Sequence, residues 1–156
     1  MEAAQGVGFV RLQSCVRRGR YLAAEENGTG VCLRAGHRAA SNIVWTVKAA
    51  AGADGEAGVL LRGAYGHYLV ASNLPAATGP PGAVIAQQSA IADDSSPPRT
   101  FLWQFVRKDG SFVVRNLTGR FLRANGKYLR WRRSATVACD DGRLEGSIDE
   151  GTEERA

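Results

Sequence analysis

The segments GRYLAA (19–24), GHYLVA (66–71) and GRFLRA (119–124) repeat one pattern along the chain. The pattern is glycine, arginine or histidine, an aromatic residue, leucine, any residue, and alanine. A short apolar run and a turn sequence precede each copy, and the turn ends on the glycine that opens the copy. Glycine adopts the positive φ of a tight hairpin turn without steric cost, so each copy is predicted to begin a strand after a hairpin turn.

The leucine and the aromatic residue of each copy occupy alternate positions, which point to opposite faces of a strand. We predict that the leucines face the core: Leu22, Leu69 and Leu122. We predict that the aromatic residues pack under the hairpins: Tyr21, Tyr68 and Phe121.

The repeat extends beyond these segments, with periods of 47 and 53 residues. The first two copies continue through a second apolar run to a strand that contains a tryptophan, Trp45 or Trp103, which makes about four strands per unit. A propeller needs at least about four units, whereas three four-stranded units close one barrel. The sequence therefore predicts an all-β, β-trefoil-like fold in one domain, residues 7–148, with repeats at about 7–50, 57–108 and 110–148.

The third unit departs from this pattern at its end. By the spacing of the first two units, its closing tryptophan belongs within residues 145–156, a stretch without any aromatic residue. Either LEGSI (144–148) forms a weak closing strand or the barrel is left incomplete at its last strand. The acidic residues 149–156 are predicted to form a disordered tail.

Charge is distributed unevenly along the chain, whose net charge is +5. Residues 140–156 carry seven acidic and two basic side chains, whereas residues 1–139 carry 18 basic and eight acidic ones. Arginine supplies 17 of the 20 basic residues, and its planar guanidinium suits phosphates, carboxylates and aromatic faces. A basic body of this kind favours anionic partners.

The densest basic cluster lies in the third unit and is our candidate binding site. Its residues are Arg123, Lys127, Arg130, Trp131, Arg132 and Arg133. The arginines offer donors to acidic groups, and Trp131 offers a flat surface for stacking. The competing interpretation is a solvated hairpin whose arginine stems pack over aromatic rings, and charge runs more often have that role.

The repeats resemble a plant family of unknown function that is grouped by fold with the fascin-like, actin-cross-linking trefoils. The resemblance covers about residues 7–139 and rests on GRYLAAEE with NIVWTV, on YGHYLVASNLP, and on GRFLRANG followed by WRRSATV. It implies an intracellular β-trefoil and, for fascin-like relatives, an actin-bundling role. Members of the family usually end in a tryptophan-containing strand, which this chain lacks.

Nothing in the sequence indicates catalysis, a cofactor or a metal site. The three cysteines (Cys15, Cys32 and Cys139) are widely spaced and odd in number, which fits reduced thiols. No nucleophile elbow accompanies the serines, and no second ligand pair accompanies Cys32 and His37. The sequence shows no signal peptide and no membrane span, so we expect a cytoplasmic protein, with nuclear entry left open.

We therefore predict a non-catalytic binding module with an acidic protein such as actin as its partner. The alternative is an anionic polymer, nucleic acid or glycan, bound through the arginine-rich face. A third interpretation is a divergent paralogue of marginal stability. The oligomeric state is left open. Sugar-binding trefoils often carry Gln-x-Trp, which this chain lacks, and secreted inhibitor trefoils usually bring a signal peptide and disulfides.

Overall fold

The computed structural model describes these residues: 8–13, 20–35, 41–75, 84–91, 96–108, 111–125, 134–138 and 148–149. Unit one contains β1 (Gly8–Leu12), β2 (Arg20–Ala24), β3 (Val31–Ala35) and β4 (Trp45–Ala51). Unit two contains β5 (Ala57–Arg62), β6 (Tyr68–Pro75), β7 (Val84–Ser89) and β8 (Trp103–Lys108). Unit three contains β9 (Ser111–Asn116), β10 (Phe121–Asn125), β11 (Ser134–Ala138) and β12 (Ile148–Asp149). The predicted all-β architecture of three four-stranded units is confirmed.

Strand pairing connects the first and last strands of the units in the order β12-β1-β4-β5-β8-β9. The inner strands form the hairpins β2–β3, β6–β7 and β10–β11, and β7 also pairs with β11. Among the described residues no pair joins β9 to β12, so in this part of the chain the sheet does not close into a barrel.

The predicted closing segment of unit three contributes a strand of two residues. Ile148 lies opposite Leu12, and Asp149, which the sequence assigned to the acidic tail, lies opposite Arg11. The rest of LEGSI and residues 150–156 lie outside the described residues. Two register pairs with β1 are all the described contribution of this strand.

The strand register shows which residue of unit three aligns with the tryptophans of units one and two. Val47 and Phe105 each lie two residues after a tryptophan, and they pair with Leu61 and Val114 on the first strand of the following unit. Ile148 pairs with Leu12 in the corresponding way. Gly146 lies two residues before Ile148 in the sequence, so it is the residue of the third repeat that aligns with Trp45 and Trp103.

On the first strand of unit three, Phe112 occupies the position that corresponds to Val10 and Val59, and phenylalanine is larger than valine. In units one and two this position is a valine, Val10 or Val59, which pairs directly with the tryptophan. Phe112 is half-buried and packs against the main core. A phenylalanine in place of valine adds apolar volume in the unit that has no closing tryptophan.

The hexapeptides supply leucines to the core, as the sequence predicts. Their leucines, Leu22, Leu69 and Leu122, are buried in the main core. Their aromatic residues, Tyr21, Tyr68 and Phe121, are half-buried. Gly66 and Gly119 have φ of +86° and +98°, as a tight turn requires, and Gly19 lies outside the described residues.

The tryptophans fix each closing strand to the hexapeptide of its own unit. Trp45 and Trp103 are fully buried, and their indole Nε1 atoms donate hydrogen bonds to the carbonyl oxygens of Leu22 and Leu69. Both distances are 3.0 Å. The leucine of the repeat thus packs through its side chain and accepts through its backbone, which is why tryptophan and leucine recur together.

Candidate functional site

Of the six predicted binding residues, the structure describes Arg123 alone. Arg123 lies on β10 and is 8% exposed, so its side chain is buried and does not lie on an open face. The other five, Lys127, Arg130, Trp131, Arg132 and Arg133, lie outside the described residues. A binding face formed by those five therefore stays a prediction, and Arg123 belongs instead to the interior of unit three.

Three other arginines lie on the strands and the turn that lead into this cluster: Arg107 on β8, Arg115 on β9 and Arg120 in the turn after β9. Arg107 pairs with Phe112 and Arg115 with Gln104, so these two arginines lie on opposite faces of the β8–β9 strand pair. We call the surface around the three arginines the unit-three basic surface. Arg115 donates from Nη1 to Gln104 Oε1 at 2.9 Å, and the guanidinium carbon of Arg107 lies 5.0 Å from the centre of the Phe112 ring. A glutamine and an aromatic ring orient these guanidiniums without neutralising them.

Two arginines elsewhere in the described part of the chain, Arg34 and Arg99, pair with carboxylates. Arg34 pairs with Glu25 at 3.1 Å. Arg99 pairs with Asp54 at 2.7 Å and with Glu56 at 2.6 Å. The backbone N–H of Glu56, and then Arg99, hold the pKa of Asp54 below its usual value. No described carboxylate forms an ion pair with Arg107, Arg115 or Arg120.

Asn116 organises the turn that carries Arg120, and sequence reasoning missed it. Its side chain is fully buried, and Nδ2 donates to the carbonyl oxygens of Thr100 and Leu102 at 3.0 and 3.3 Å. Its Oδ1 accepts from the backbone N–H and the hydroxyl of Thr118. The Asn-x-Thr-Gly sequence of the turn was the signal, because asparagine favours such local turns.

A polar junction joins unit one to unit two. Gln88 is buried, and its Nε2 donates to the carbonyl oxygens of Glu25 and Gly30 at 2.9 and 2.6 Å. His67, which the sequence indicates as a surface residue beside the turn, is half-buried with Nδ1 2.7 Å from the carbonyl oxygen of Gly28. These contacts hold the β2–β3 turn against unit two and have a structural role.

Cys32 sits beside this junction and is a poor nucleophile. Burial first, and then a hydrogen bond with Glu25, raise the pKa of its thiol to about 11. The thiolate is the reactive form of cysteine, so a raised pKa lowers reactivity. Within the described residues, no group of three His, Cys, Asp or Glu side chains is arranged to hold a metal ion.

We expect Cys32 to alkylate about a hundredfold more slowly in the folded protein than in urea at about pH 8. The reason is that the raised pKa makes the thiolate fraction of Cys32 about a hundredfold smaller. The measurement is the rate with iodoacetamide in a Cys15→Ser, Cys139→Ser background, which leaves one thiol. The difference should shrink as pH rises toward the raised pKa. Equal rates in the folded and unfolded protein would contradict the assignment.

No helix in the described ranges combines the length and the apolar composition that crossing a membrane requires.

Solved structures with a similar fold come from proteins of different kinds. A mosquitocidal holotoxin matches with a TM-score of 0.64 and 14% identity over 92% of this chain, which corresponds to 16% of the toxin chain. A Caenorhabditis elegans protein of unknown function matches with a TM-score of 0.64 and 12% identity, over 94% of this chain and 95% of that one. A GlcNAcα1-4Gal-releasing endo-β-galactosidase from Clostridium perfringens matches with a TM-score of 0.53 and 16% identity, over 84% of this chain and 32% of the enzyme.

Identities this low show a shared fold and nothing about ligands. A comparison with curated proteins found no match. The sequence matches a family described as a beta-trefoil domain of unknown function over residues 1–146. That match spans nearly the whole chain and agrees with the three four-stranded units and their register. The chain therefore belongs to the β-trefoil domain family DUF569.

Proposed function

We propose that this chain is a non-catalytic binding module of the cytosol, and that its unit-three basic surface binds an acidic protein such as an actin filament. One observation carries the proposal. Arg107 and Arg115 are oriented by an aromatic ring and a glutamine, while Arg34 and Arg99 are paired with carboxylates. A guanidinium that is oriented but not neutralised is prepared for a carboxylate from another molecule.

Two further observations support the non-catalytic part of this proposal. Cys32 has a raised pKa and therefore a low thiolate content. The buried side chains of Asn116 and Gln88 each have several hydrogen-bond partners and hold turns in place. Residues 127–133, predicted to extend the basic surface, follow β10 directly in the sequence.

The test is co-sedimentation with actin filaments at low and at moderate salt. We expect the wild-type chain to pellet with filaments at low salt and less at moderate salt, because salt screens exposed charges. Replacing Arg107, Arg115 and Arg120 by glutamine should reduce the pelleted fraction at least about tenfold, since each charge-assisted contact contributes about 1.5 kcal/mol or more.

Arg34→Gln is the matched control, because it removes one exposed arginine that is already paired with Glu25. It should pellet as the wild type does. Absence of pelleting at both salt concentrations would refute actin as the partner.

The second candidate is an anionic polymer, either nucleic acid or glycan. It is favoured by the pairing of Arg115 with Phe121 on adjacent strands, because a base or sugar ring stacks on an aromatic face beside a guanidinium. Retention on heparin or RNA with a steep salt dependence, lost in the same triple variant, would favour this candidate over the first. Flat salt dependence would exclude it.

A further inference from the structure

We propose that units one and two carry a second docking surface, centred on Arg62, that binds an acidic segment of a protein partner. This surface lies on β1, β4 and the β5–β6 turn, whereas the unit-three basic surface lies on β8, β9 and the turn that follows β9. The inference is therefore independent of the function proposed above. We call it the Arg62 surface, and its residues are Phe9, Thr46, Lys48, Arg62 and Tyr65.

Strand register places the side chains of Phe9, Thr46, Lys48 and Arg62 on one outer face, and Tyr65 lies in the turn that follows Arg62. Phe9 pairs with Thr46, and Thr46 pairs with Arg62, so the three form a row across neighbouring strands. Directly opposed side chains in antiparallel strands have Cβ atoms about 5 Å apart. Lys48 lies two residues beyond Thr46 and so shares its face. Alternation leaves Val10 and Val47, on the opposite face, in the core.

The Arg62 surface is rich in exposed aromatic area. Phe9 is 46% exposed and Tyr65 is 44% exposed, two of the four large apolar side chains that are exposed in the described part of the chain. Tyr65 lies in the turn from Gly63 to Gly66, and Nη2 of Arg62 reaches over Gly66, 3.6 Å from the site of a Cβ atom there. Aromatic residues and arginine are the types enriched at protein interfaces.

The charge of this surface determines which partner it fits. The strands GFVRL, WTVKAAA and AGVLLR contain no acidic residue. Arg62 and Lys48 are exposed, and no described carboxylate forms an ion pair with either. A carboxylate pairs with a guanidinium through two parallel hydrogen bonds. An acidic protein segment supplies both the carboxylate and apolar contact for the rings.

The test measures binding of a fluorescent oligoglutamate peptide to the Arg62 surface alone. The parent protein carries Arg107→Gln, Arg115→Gln and Arg120→Gln, so that the unit-three basic surface does not contribute. We expect Arg62→Gln to weaken binding about tenfold in this parent, and Tyr65→Ser, in an exposed turn, to weaken it severalfold. Arg34→Gln should leave the affinity unchanged, and an oligoglutamine peptide should not bind.

Two results would overturn the proposal. The first is an unchanged affinity in both Arg62→Gln and Tyr65→Ser, each shown to be folded by its thermal transition. The second is a heparin oligosaccharide that binds more tightly than the peptide and depends on Arg62 to the same degree, which would assign the surface to a polyanion. Arg62→Lys separates the mechanisms further, because it keeps the charge and loses the paired hydrogen bonds, so we expect intermediate affinity.

Discussion

Trp103→Ala lowers the free energy of unfolding by about 3–5 kcal/mol, the range for truncation of a large buried aromatic residue. Trp103 is fully buried in the main core, and its Nε1 atom donates to the carbonyl oxygen of Leu69 at 3.0 Å. The substitution leaves a cavity and removes the donor from a buried carbonyl. The measurement is urea denaturation followed by circular dichroism, which does not depend on the lost fluorophore.

Two further variants separate packing from hydrogen bonding at this position. Trp103→Phe keeps an aromatic ring and loses the N–H, so we expect a cost of about 1–3 kcal/mol. Val106→Ala is the matched control on the same strand, at a side chain that is 38% exposed, and it should change stability by less than about 1 kcal/mol. A loss below about 1 kcal/mol in Trp103→Ala would show that this tryptophan does not hold unit two together.

Asn116→Asp destabilises the protein by about 3 kcal/mol at neutral pH. Nδ2 of Asn116 faces the carbonyl oxygens of Thr100 and Leu102, and a carboxylate there would point a negative charge at two acceptors. Burial and these oxygens would raise the pKa of the introduced carboxyl above the value it has in the unfolded chain.

The pH dependence of this variant has a definite sign. A carboxyl whose pKa is raised in the folded state is least costly below its unfolded pKa of about 3.9, and the cost grows as pH rises through the folded pKa. The deficit relative to wild type should therefore be larger at neutral pH than at about pH 4. Asn27→Asp is the control. Oδ1 of Asn27 accepts hydrogen bonds from the N–H groups of Thr29 and Gly30, and a carboxylate oxygen can accept the same two bonds. A deficit that does not depend on pH would contradict the assigned orientation of the Asn116 amide.

Unit three differs from the other two in ways that bear on its stability. In the sequence, Gly146 aligns with Trp45 and Trp103, which supply core volume and a hydrogen bond in units one and two. The last strand of unit three contributes Ile148 and Asp149 to the described sheet. Phe112, where units one and two have valine, packs against the main core. Domain boundaries and the divergent-paralogue interpretation stay predictions, since they depend on residues outside the described ranges.

Local sequence was sufficient for the repeating elements, because each depends on chemistry within a few residues. Gly66 and Gly119 end their turns with positive φ, and the leucine that follows each glycine reaches the core through strand alternation. The recurrence of the pattern at similar intervals then indicated three similar units. Trp45 and Trp103 were equally predictable as residues of the closing strands, because each lies in the last apolar run of its repeat.

The sequence by itself determined the three four-stranded units, their core leucines and their tryptophan strands, because alternation and glycine turns are local properties. Only the tertiary structure decided that Arg123 is buried, that Asn116 holds a turn, and that Arg62 shares a face with Phe9. Which side chains are exposed, and which residues they contact, depend on which strands are neighbours. The pairing register between segments far apart in the chain determines this.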